Sequence, residues 1–73
     1  MRGFLFEHSC ADVTSPDGVR RTQIAAIAAT RSEAFGLAGG VLPIIGLRLV
    51  DEGPDALKIA QAAGVNAGEA KAL

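Results

Sequence analysis

His8, Cys10 and Asp12 alternate along the chain, and they are the side chains whose types come nearest to chemistry. On an extended segment, residues two apart share a face. A thiol and an imidazole placed so could act as nucleophile and base, or join Asp12 around a metal ion. The spacing argues against both uses. Side chains two apart on a strand stand about 6–7 Å from one another, beyond hydrogen-bond reach. Structural zinc takes four ligands, whereas this stretch offers three, of which only two are soft or nitrogenous. The pattern supports a partly buried thiol and an ordinary surface or capping histidine, so no catalytic residue, metal or cofactor is assigned.

Gly36, Gly39, Gly40 and Gly46 raise the question of a phosphate-binding loop. Their spacing fits neither G-x-G-x-x-G nor G-x-x-x-x-G-K-[ST], and no strand-glycine-helix order surrounds them. Gly36-x-x-x-Gly40, with Ala34-x-x-x-Ala38 beside it, does match the arrangement that lets backbones approach closely within apolar helices. A hinge between two elements explains the same glycines.

The elements that position these residues are short. Residues 3–8, GFLFEH, read as a strand. Ser15-Pro16-Asp17 carries a helix start, with a capping hydroxyl, proline at the first position and an acid at the positive end of the dipole. Pro-Asp-Gly is also turn chemistry. The helix is preferred because Ile24, Ile27, Ala28, Ala34, Phe35 and Ala38 recur at three- and four-residue spacing, which extends it over 16–38. Residues 41–50 fit a buried strand or a helix. As a strand beside 3–8 they would complete a parallel crossover unit. Gly53-Pro54-Asp55 opens a helix over 54–63 that Gly64 stops, and Asn66 with Glu69 resembles a capping box opening another over 67–73. The expected fold is mainly α, an α-rich α+β domain spanning 1–73.

The tail IAQAAGVNAGEAKAL is similar to the helix-turn-helix of bacterial repressors, with Ala60, Gly64, Val65, Ala70 and Leu73 at its small or apolar positions. That resemblance implies DNA binding through residues 54–73. The second helix would present Ala67, Gly68, Glu69 and Lys71, a poor set of donors for phosphates and base edges. The net charge of -1 supplies no basic field, so nucleic acid is not the favoured partner.

Ala34 to Leu47 is uncharged over fourteen residues. As a helix it would cover only about 21 Å, short of a bilayer core of about 30 Å, so a membrane partner is not favoured either. Protein is. Fourteen of the 73 residues are Ala and only twenty are Leu, Ile, Val or Phe. A core this thin leaves ordering entropy barely offset. Cys10 is the single cysteine, which excludes an internal disulfide as the remedy.

Association is therefore the expected source of extra stability. The chain reads as a non-enzymatic structural or interaction subunit of a homo-oligomer or larger assembly, such as a virion or multi-subunit complex. Its interface is expected at Gly36, Gly39, Gly40, Leu42, Ile45, Leu47, Ala60 and Ala63. A lone thiol, together with an apolar stretch at Phe4–Phe6 too short for an export signal, points to the cytoplasm or to a particle assembled inside the cell.

Overall fold

A computed structural model describes all residues from Met1 to Leu73. Its element order is β1 (Arg2–Ala11), β2 (Val19–Ala28), α1 (Arg31–Gly39), β3 (Leu47–Glu52), α2 (Pro54–Ala62) and β4 (Glu69–Ala72). The strands form one sheet in the order β3-β1-β2-β4, and every neighbouring pair is antiparallel. With 41% of residues in strands and 25% in helices, the chain is mainly β, which overturns the expected α-rich fold.

The first correction falls on residues 16–38. Val19–Ala28 is a strand paired with the whole of β1, from Arg2 opposite Ala28 to Ala11 opposite Val19. Ile24 to Ala28 are buried without interruption. Ile24, Ala26 and Ala28 face α1, while Ala25 and Ile27 face α2. A central strand covered on both sides shows a continuous apolar run, and such a run also contains helical spacings. Its alanines are small where a helix lies close on either face.

Ser15-Pro16-Asp17-Gly18 is the hairpin turn that the helix reading displaced. Gly18 has φ 76°, Ser15 N donates to Asp12 O, and Gly18 N donates to Ser15 O. The helix that does form, α1, begins where the Thr30 hydroxyl accepts from Glu33 N at 3.2 Å.

Because β1 returns through β2 before α1 crosses, β3 meets β1 antiparallel, and the parallel crossover pair does not form. The register of β3 shifts by one residue between Leu5 and Phe6, leaving Val50 as an extra residue, a β-bulge. α2 starts with Pro54 at its first turn, and Gly64 follows at φ 82°.

The second correction is the C-terminal helix pair. Glu69 Oε1 accepts from Asn66 N at 3.1 Å, the contact a capping box would make, but Glu69 N also donates to Asn66 O and Gly68 takes φ 79°. Those bonds close a turn instead of opening a helix. Residues 69–72 then pair with β2, with Ala70 opposite Ala26 and Ala72 opposite Ile24. The unpaired edge of β2 outweighs the helical propensity of Ala, Glu and Lys. No helix-turn-helix is present, and the description of the chain as helical fails with it.

Two clusters hold the layers together. Phe4, Phe6, Ile24, Ala26 and Ala28 pack with Ala34 and Ala38 of α1, and Phe6 meets Phe35 edge-on at 4.8 Å between ring centroids. On the other face, Ala25 and Ile27 pack with Ala60 and Val65. That helix sits so near the sheet that a Cβ at Gly3 would overlap the backbone of Ala56 and Leu57. Glu52 ties the layers at one end of the sheet, paired with Arg2 at 3.1 Å and with Arg31 at the start of α1.

Candidate interaction surface

His8, Cys10 and Asp12 do not converge. His8 is buried in the row between Leu47 and Thr22, Cys10 is exposed opposite Arg20, and Asp12 lies beyond the end of β1. No group of three His, Cys, Asp or Glu side chains is placed to hold a metal ion.

Asp12 serves the hairpin turn. Its carboxylate accepts from the Thr14 hydroxyl at 2.6 Å and from Thr14 N at 3.0 Å, with Arg20 alongside at 3.3 Å. The Thr14 hydroxyl, foremost, and then the Thr14 amide hold that carboxyl below its usual value against the opposing effect of desolvation, with a lesser contribution from Arg20. Asp17 is lowered further, first by the Arg21 guanidinium at 2.8 Å, then by the Ser15 hydroxyl and Val19 N. Arg21 is raised in return by Asp17.

The expected interface residues fall in two separate places. Ala60 is buried and Ala63 half-buried in the cluster beneath α2. Leu42 and Leu47 are half-buried against the cluster beneath α1, so much of their apolar area already serves this chain's own core. Gly36 and Gly40 are exposed on or beside α1, and a Cβ at Gly36 would meet nothing within 4 Å. Gly39 lies against the Ile44 side chain. The backbone approaches closely at Gly3, and again at Gly46, where φ is 87° and a Cβ would overlap Ser9 O.

Ile45 is 89% exposed, its neighbour Ile44 65%, and Val41 shares the same connection between α1 and β3. The apolar run thus divides. Ala34, Ala38, Leu42, Leu47 and Leu49 turn inward, whereas Val41, Ile44 and Ile45 turn outward beside the sheet edge formed by β3. Ile44 and Val41 were missed by sequence reasoning. Their signal was the position between Gly39-Gly40 and Gly46, where the path is irregular and facing cannot be read from period.

The largest concavity, an open cleft of about 530 Å³ bordered by Met1, Ile27, Leu57 and Val65, lies on the opposite face and has no acidic, basic or thiol side chain in its lining. No helix is long and apolar enough to cross a membrane. Comparison with family models, curated proteins and solved structures gives no match to this chain.

Proposed function

We propose that this chain is a small non-enzymatic structural or interaction subunit that buries its 41–45 connection against protein, in a homo-oligomer or a larger assembly. The observation that carries the reading is the adjacent pair Ile44 and Ile45, 65% and 89% exposed, beside an open sheet edge. Fully burying an isoleucine stabilises by roughly 1.5–3 kcal/mol, and an exposed apolar patch beside polar strands is the usual mark of a docking site. A thin interior supports it: only 14 of the 73 residues are buried. Of the expected interface, Ile45 lies in this connection and Gly39 sits beneath the Ile44 side chain.

The test is sedimentation velocity on the purified chain, with cross-linking in the native host, for the natural sequence and Ile45→Glu. Self-association or a defined cross-linked protein partner, lost in Ile45→Glu while the circular dichroism spectrum is retained, is the expected result. A monomer that acquires no cross-linked partner, or an association indifferent to Ile45→Glu, refutes the reading.

A further inference from the structure

We infer that the partner at this surface is a second copy of the chain, joined through β3 to β3 in antiparallel register about a two-fold axis between Leu49 and Val50. The inference rests on the interaction-subunit reading above and gives it an occupant.

The register follows from the bulge. Ser9 N donates to Gly46 O at 3.1 Å, and Gly53 N donates to Gly3 O at 3.0 Å, so both ends of β3 present Gly46 and Gly53 toward β1. Backbone groups alternate along a strand, so Arg48 and Asp51 also point inward, while Leu47, Leu49 and Glu52 point to the open edge. A regular strand would place residues 48 and 51 in opposite phase; the extra residue at Val50 brings them into the same one.

Pairing residue 47 with 52, 48 with 51 and 49 with 50 of the second copy matches outward groups at Leu47 and Glu52, on either side of the bulge at Leu49 and Val50. Side chains agree as well. Arg48 lies opposite Glu7 and Asp51 opposite Leu5, and Glu7 and Leu5 share one face of β1, so Arg48 and Asp51 share it too. The two-fold therefore sets Arg48 of each copy across from Asp51 of the other, on one face, twice.

Charge and apolar surface fit this pairing. Asp51 has no ion-pair partner within the chain, and the Arg48 side chain is 71% exposed with only a 3.3 Å contact to Glu7. Val50, half exposed, meets Leu49 of the second copy at the axis. Ile45 lies in the turn that leads into β3, so its exposed side chain borders the same association. Two outward amides exchange partners on pairing: Leu47 N leaves Ile44 O, and Glu52 N leaves Asp51 Oδ1, each at 2.9 Å. The second exchange releases the Asp51 carboxylate toward Arg48 of the second copy.

The experiment is sedimentation equilibrium on the full chain, Arg48→Asp, Asp51→Arg, the double exchange and Ile45→Glu, with circular dichroism to check folding. The natural chain should dimerise. Either single reversal should raise the dimer Kd by roughly tenfold or more, because two attractive cross-strand pairs become repulsive. An equimolar mixture of the two single variants, and the double exchange alone, should dimerise again. That recovery separates lost register from lost folding.

A natural chain that stays monomeric to about 1 mM overturns the inference; so does a dimer indifferent to both reversals. If Ile45→Glu alone abolishes association while the reversals do nothing, the β3 pairing is wrong and the apolar docking reading survives.

Discussion

Gly3→Ala tests the packing of α2 on the sheet. The added methyl would meet Leu57 N, Leu57 Cα and the Ala56 carbonyl carbon, all of them backbone atoms that no rotamer change can move aside. Restoring ordinary carbon contacts requires α2 to withdraw by on the order of 1–2 Å. Withdrawal loosens the cluster of Ala25, Ile27, Ala60 and Val65, with Leu5 and Leu57 beside it. Overpacking of this kind costs about 1–3 kcal/mol. A domain of this length has only some 4–11 kcal/mol to lose, and 1 kcal/mol corresponds to roughly 4–8 °C in Tm.

Gly3→Ala should therefore melt about 10–20 °C lower if 2–3 kcal/mol is lost. The contrast is Gly36→Ala, in the middle of α1, where a Cβ enters open space. There the same chemical change should stabilise by about 0.5–1 kcal/mol, by restricting the unfolded chain and favouring helix. Urea and thermal denaturation followed by circular dichroism, at a concentration where each variant is monomeric, compares the pair. Gly3→Ala melting at or above the natural chain would refute the close approach of α2.

Three further outcomes are expected. Phe6→Ala, which empties a fully buried site beside Phe35, should cost about 3–5 kcal/mol and abolish or nearly abolish the cooperative urea transition; an unshifted midpoint would mean that the cluster under α1 does not hold the sheet. Acid should loosen the hairpin turn before the sheet. Asp12 and Asp17 have lowered folded-state pKa values, so their contribution is present above the unfolded carboxyl range near pH 3.9 and is lost as pH falls through their folded values. Carboxyl chemical shifts in an NMR titration should show Asp12 and Asp17 both titrating below the ordinary carboxyl range, Asp17 the lower; midpoints inside that range would remove the turn bonds from the account. Gly46→Ala should destabilise by at least the roughly 1–3 kcal/mol of overpacking alone, since it combines φ 87° with overlap on Ser9 O, and a rise in Tm would contradict both.

The candidate surface was only partly legible before folding was known. Ile45 stands out in an apolar run too long to leave exposed, yet Leu42 and Leu47 in that run look no different, and the two leucines turn inward. Ala60 and Ala63 have the small size of interface residues because they are an interface, between α2 and the chain's own sheet. Likewise, Gly36 on α1 faces open space and a Cβ at Gly40 would meet only carbonyls of its own helix, while isolated Gly3 and Gly46 sit where another backbone passes. A residue type records that close contact is needed, and not with what.

Sequence by itself determined those features whose cause lies within a few residues. GFLFEH, aromatic and apolar without helical spacing, makes an extended segment, Pro54 after Gly53 begins a helix, and Gly64 adopts the left-handed conformation that follows it. Tertiary structure decided the rest. Ile24 to Ala28 satisfy both a helical stripe and a strand buried on two faces, and only the pairing with β1 and the arrival of two helices on opposite sides choose the strand. Glu69–Ala72 is composed of helix formers, but four residues cannot sustain a helix alone, whereas the free edge of β2 offers them hydrogen-bond partners at once. Hydrogen bonds between distant strands are absent from any local window, which is why the class of this fold lay outside the reach of spacing and propensity.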